Sequence, residues 1–71
     1  MTDLFHVITT AHGVRGYADG GGREELTLDR AYKVALLEQE YYQSKGLKAK
    51  IEIVFIKPNG QHGDTISLFN A

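Results

Sequence analysis

The sequence predicts an α+β fold: a two-layer sandwich of order β-β-α-β-β, with one helix packed on one face of a four-stranded antiparallel sheet. Three observations predict it. Segments near both ends alternate with period two, one segment between them repeats at the helical period, and tight-turn signals join the strand-like segments in pairs. With 71 residues the chain is one small domain, 1–71, which buries only about 60% of its unfolded surface.

Leu4–Ala11 (LFHVITTA) is rich in aromatic and β-branched residues and holds no breaker, so it predicts a strand. Phe5, Val7 and Thr9 share one face; Leu4, His6, Ile8 and Thr10 share the other. His12-Gly13 predicts a tight turn, since glycine takes positive φ freely and histidine visits it more readily than most residues. Val14–Ala18 then returns as a short strand, weakened by Gly16.

Asp19–Glu25 (DGGGREE) poses a choice between a phosphate cradle and a plain connection. A P-loop ends in Gly-Lys-Ser/Thr, and no lysine stands between Met1 and Arg30. A dinucleotide fingerprint needs a third glycine where Glu25 stands, and the carboxylates of Glu24 and Glu25 repel a pyrophosphate. The expectation is therefore a hinge with few backbone partners and high mobility, in which Gly21→Ser shifts stability by less than about 1 kcal/mol.

The helix is predicted over Leu28–Lys45. Thr27 suits the N-cap, Asp29 lies in the first turn where the helix dipole favours an anion, and Gly46 suits the C′ position with Leu47 placed to touch Tyr42. Leu28, Ala31, Ala35 and Tyr42 gather on one side, flanked by Val34 and Tyr32, with Asp29, Lys33, Glu40 and Ser44 opposite. Alanines on the inner side let a helix sit close to a sheet. Ala49–Lys57 (AKIEIVFIK) predicts the third strand, with Ile51, Ile53 and Phe55 on one face and Lys50, Glu52, Val54 and Ile56 on the other. Pro58-Asn59-Gly60 is a turn signal, and Asp64–Phe69 predicts the last strand. Both hairpins are antiparallel, and a right-handed crossover that leaves the first strand inside gives the order 2-1-3-4.

Composition narrows the chemistry. Cys 0 excludes disulfides and thiolate zinc sites, and suits a reducing compartment. Lys+Arg 8 against Asp+Glu 9 give a net charge of −1, so the basic footprint of a nucleic-acid binder is missing. The start of the chain has no basic n-region and no long apolar stretch, so no signal peptide, membrane span or membrane partner is expected. The expected location is cytoplasmic. His12 falls at the opposite end of the sheet from His62, whereas His6, His62 and Asp64 are able to approach one another. Their spacing is not specific for metal, and ordinary surface or half-buried histidines are expected. Glu38 falls among Ala31, Val34 and Tyr42 on the core side; the expectation is a rim position with its carboxylate in water near Lys45. No nucleophile, base and electrophile converge, so the chain is not expected to be an enzyme or to hold a cofactor.

What remains is surface. Four tyrosines and three phenylalanines exceed what so small a core absorbs. Val54, Ile56 and Phe69 are expected to form an apolar patch on the open sheet face, with Leu37 and Tyr41 exposed on the helix. Tyrosine is large, stiff and amphipathic, which suits an interface. The expected function is therefore a protein-interaction module that docks to itself or to a larger protein. In size and architecture alone it resembles compact modules that include small accessory proteins of bacteria and phages. The alternative is single-stranded nucleic-acid binding through the open face, with Lys48, Lys50 and Lys57 beside the third strand and Phe69 as a stacking ring.

Overall fold

The computed structural model describes residues 2–71. Strands β1 (Phe5–Ala11) and β2 (Val14–Tyr17) form a hairpin, α1 (Leu28–Ser44) follows, and β3 (Lys50–Ile56) and β4 (His62–Asn70) form a second hairpin. The sheet order is β2-β1-β3-β4 and every pairing is antiparallel, as the sequence predicts. Turn chemistry explains both hairpins. His12 and Gly13 take φ of 53° and 74°, the left-handed pair that matches strand twist across a two-residue loop. After β3, Gly60 takes φ 87° and the Asn59 side chain accepts a hydrogen bond from the Gln61 amide at 3.0 Å.

The helix ends as its sequence prescribes. Gly46 has φ 68°, its amide bonds Gln43 O at 3.0 Å, and the Leu47 amide bonds Tyr42 O at 3.0 Å, which completes a Schellman ending. The start differs from expectation: Thr27 is the N-cap, but its side chain makes no capping hydrogen bond. Ala31 and Ala35 are wholly buried against the sheet, while Leu28, expected on the inner side, is 38% exposed. The core lies between α1 and one sheet face, built on Phe5, Val7, Ile51, Ile53 and the helix alanines. Among the described residues no helix is long and apolar enough to cross a membrane.

The glycine segment is not a hinge. After an excursion at 19–21 the chain returns to β1, where Val7 N donates to Gly22 O and Phe5 and Leu26 exchange both backbone hydrogen bonds. Residues 22–26 thus prolong the edge that β2 begins. Gly22 N also bonds Ala18 O at 3.0 Å, and Gly22 itself is buried. The expected tolerance of Gly21→Ser fails for a separate reason. Gly21 takes φ 123°, a conformation that L-residues rarely adopt and that costs of order 1–3 kcal/mol. Leu26, an apolar residue just before the N-cap, is what draws the segment in, because it pairs with Phe5.

Candidate functional site

Alternation places His6, Ile8 and Thr10 of β1 and Glu52, Val54 and Ile56 of β3 on the face that α1 leaves uncovered. Ile8 and Val54 are nevertheless only 2% exposed there. Tall side chains close over them. Tyr17 stands opposite Ile8 in register, its ring centre is 5.1 Å from His6 and 6.2 Å from His62, and the Arg23 guanidinium lies 5.8 Å from the same ring. Beside them the Glu52 carboxylate accepts a hydrogen bond from Thr65 Oγ1 at 2.8 Å and is approached by Arg15 at 3.8 Å and Lys50 at 4.0 Å. Glu52 is thereby fixed within the sheet face, not waving over it.

The predicted patch is redrawn by β4. Val54 is on the open face but buried, and Ile56 is half-buried. Phe69 is on the other face: it packs on the core, and its ring meets Tyr32 of α1 edge-on at 5.9 Å. Ser67, two residues back, likewise turns to α1 and shares a 2.7 Å hydrogen bond with the Tyr32 hydroxyl. The apolar residues that β4 shows on the open side are Ile66 and Leu68, 44% and 54% exposed. Leu68 pairs with Glu52, and Ile66 is the extra residue where the register shifts between Ile53↔Ser67 and Val54↔Thr65. The stacking ring imagined for nucleic acid is therefore absent from this face.

β4 is also the outer strand of the sheet, and its sequence HGDTISLFN carries no lysine or proline and a single charged residue, Asp64. Lysine, proline and inward charges, three usual protections of an edge against pairing with another chain, are missing here, and the irregularity at Ile66 is the guard that remains.

On α1, Leu37 and Tyr41 are exposed as expected, at 66% and 51%, and Leu36 is exposed as well, without a signal in the helical period that marks it. Leu37 and Tyr41 border a cleft of about 250 Å³ shared with Asp19, Gly20, Val34 and Glu38. Glu38 departs from its expected rim position: it is 7% exposed, and Oε2 accepts hydrogen bonds from Thr9 Oγ1 at 2.9 Å and the Asp19 amide at 3.1 Å. Neither ion pair among the described residues involves it, so two neutral donors hold this carboxylate. The Lys45 ammonium instead sits 5.8 Å from the Tyr41 ring centre. Burial, and then the Glu38, Asp19 and Tyr41 charges, push the neighbouring Tyr42 phenol above its usual range.

His6 and His62 are brought together, with His6 Nδ1 2.9 Å from His62 Nε2 and the ring centres 5.1 Å apart. Asp64 is exposed, and among the described residues no three histidines, cysteines or carboxylates are grouped to hold a metal ion. Burial holds the His6 imidazole below its ordinary 6.5, and His62 adds to the effect, against the opposing pull of Glu25 and hydrogen bonding to the Arg23 backbone. A lowered folded-state value fixes the sign of the linkage. The unfolded chain takes up the proton more readily, so this contribution is complete above 6.5 and is lost as the pH falls through the folded value. Urea midpoints in metal-free buffer are expected to fall between about pH 7.5 and 5.5, and the fall should shrink in His6→Gln. Equal slopes in the two proteins would contradict the assignment to His6.

No protein family, no curated protein and no solved structure matches this chain.

Proposed function

We propose that the protein is an interaction module that works by docking, to a second copy or to a larger protein, and that the β4 edge is its contact surface. The observation that carries this reading is the pair Ile66 and Leu68, 44% and 54% exposed on an outer strand with a single charged residue. An edge with so little protection offers backbone donors and acceptors to an incoming strand on either side of Ile66, and alternate apolar side chains beside it supply the area that water gives up. Leu37, Leu36 and Tyr41 on α1 form a second, separate apolar surface. The near-neutral net charge of −1 suits contact through apolar area better than contact through long-range charge attraction.

Light scattering coupled to size exclusion tests the reading, with Leu68→Glu and Ile66→Glu as probes. About half of each side chain is already in water, so the variants should fold with a loss of no more than about 1 kcal/mol. Assembly, or capture of a partner, is expected to weaken at least about tenfold, since a charge on the contact strand must be buried unpaired. A monomeric parent whose Leu68→Glu variant retains every interaction of the parent rules the β4 surface out. Leu37→Glu serves as the contrast: loss of docking there alone moves the surface to α1.

A further inference from the structure

Val34, Leu37, Glu38 and Tyr41 of α1 follow the i, i+3, i+4, i+7 spacing of one helix face, and the 19–21 excursion lies beside them. Together they border the cleft of about 250 Å³, in which Asp19 and Glu38 supply carboxylates and Val34, Leu37 and Tyr41 supply apolar walls. We infer that this cleft binds a guanidinium group on a short apolar stem, the cation between Glu38 and Asp19 and the stem along Leu37 and Tyr41. An arginine side chain of a partner and a free alkylguanidine share that chemistry. The site is separate from the β4 surface and does not depend on it.

The buried carboxylate carries the inference. Glu38 is 7% exposed, and both of its hydrogen bonds, from Thr9 Oγ1 and the Asp19 amide, fall on Oε2. Oε1 accepts none. Every fully buried side-chain oxygen and nitrogen among the described residues has a partner, so Oε1 lies open to the hollows that Glu38 lines, this cleft and its neighbour toward β2. The two hollows meet at Glu38 and Asp19, which line both. Two donors on Oε2 hold the group still, so Oε1 is a fixed acceptor that a ligand does not have to order.

Charge and shape both select a cation of this kind. After burial, Glu38 and Asp19 are the charges that push the Tyr42 phenol up, so their negative fields overlap here. The protein's own cations leave the pair unmatched. Lys45 sits 5.8 Å from the Tyr41 ring centre, Arg30 and Lys33 border a separate hollow on Val34 and Leu37, and His12 borders the one toward β2. Neither ion pair among the described residues includes Asp19 or Glu38. A guanidinium is planar and weakly hydrated, and its forked donors serve two carboxylates while its stem lies on an aromatic ring. At about 250 Å³ the cleft is smaller than the about 300–1,000 Å³ of sites that enclose drug-sized ligands, and it suits a single side chain.

NMR titration of the full chain with n-butylguanidinium chloride at neutral pH tests the assignment. Signals of Gly20, Val34 and Leu37 should shift and saturate with a Kd of about 1 mM, while those of Ile66 and Leu68 on β4 stay. The neutral isostere n-butylurea should bind at least about tenfold more weakly. Glu38→Gln should weaken binding about tenfold and the exposed Asp19→Asn about threefold, whereas Asp64→Asn, on β4, leaves it unchanged. Acetyl-Gly-Arg-Gly-amide separates the sources: binding as tight as that of n-butylguanidinium assigns the site to a partner's arginine, and exclusion of the peptide assigns it to a free guanidine. No shift at about 20 mM n-butylguanidinium, equal binding of n-butylurea, or a Kd that neither Asp19→Asn nor Glu38→Gln alters would each overturn the assignment.

Discussion

Gly22→Ala is expected to remove about half of the protein's stability, roughly 3–5 kcal/mol, where the same change at Gly20 costs only about 1–2 kcal/mol. A Cβ at Gly22 would lie 2.5 Å from Val7 O, 2.6 Å from Ala18 N and 2.7 Å from Ala18 O. All three are backbone atoms of the sheet edge, so no flexible side chain can move away to relieve the contact. The chain must instead lift residue 22 off β1. That breaks the bond from Val7 N to Gly22 O and the bond from Gly22 N to Ala18 O. It also loosens the bridge that seats Leu26, 4% exposed, in the core. Overpacking strain of about 1–3 kcal/mol, added to lost backbone bonds of about 1 kcal/mol each, reaches roughly 3–5 kcal/mol. A chain of 71 residues has roughly 4–10 kcal/mol in all. At Gly20 a Cβ meets nothing within 4 Å, so only its φ of 77° resists a side chain. Urea denaturation of the two variants measures the contrast. A Gly22→Ala protein as stable as Gly20→Ala would restore the loose hinge.

The distant partners of Gly22 also explain which parts of the fold are legible in the sequence. Local chemistry fixes what local chemistry can reach. His12-Gly13, Pro58-Asn59-Gly60 and the Gly46 ending each carry their conformation in two or three adjacent residues, and each was anticipated correctly. Pairing of Phe5 with Leu26 joins distant residues, and nothing in GGGREEL announces it except an apolar residue ahead of the helix. The face of β4 was ambiguous for a different reason. Ile66 and Leu68 alternate with Ser67 and Phe69, so either face could supply apolar contacts, and the two register shifts in the β3–β4 pairing break simple alternation. Tyr32 settles the matter by placing both its ring and its hydroxyl over Phe69 and Ser67. The His6–His62 approach was visible as a shared end of the sheet, but a 2.9 Å contact depends on how β4 shifts past β3. Helical period alone put Glu38 on the core side; its partners, Thr9 and the Asp19 amide, belong to other segments and could not be named.

Removing that carboxylate is the second large effect expected. In Glu38→Ala, the buried Thr9 hydroxyl and the Asp19 amide lose the oxygen that satisfies them both. Leaving a buried donor without a partner costs about 1–3 kcal/mol, and two donors are involved. The neighbouring cleft of about 250 Å³ opens a path for water, which recovers part of the loss. The expected result is therefore a destabilisation of about 2–3 kcal/mol, not the sum of two full penalties. Glu38→Gln keeps an acceptor oxygen of the same reach but gives up its charge, so it should cost about 1 kcal/mol. Thr9→Val removes one donor and should lower the further cost of Glu38→Ala, because the two side chains act as one unit. Urea unfolding of the single and double variants yields that coupling directly. Additive effects, or a Glu38→Ala protein as stable as the parent, would mean that the carboxylate holds neither β1 nor the 19–21 excursion to the helix.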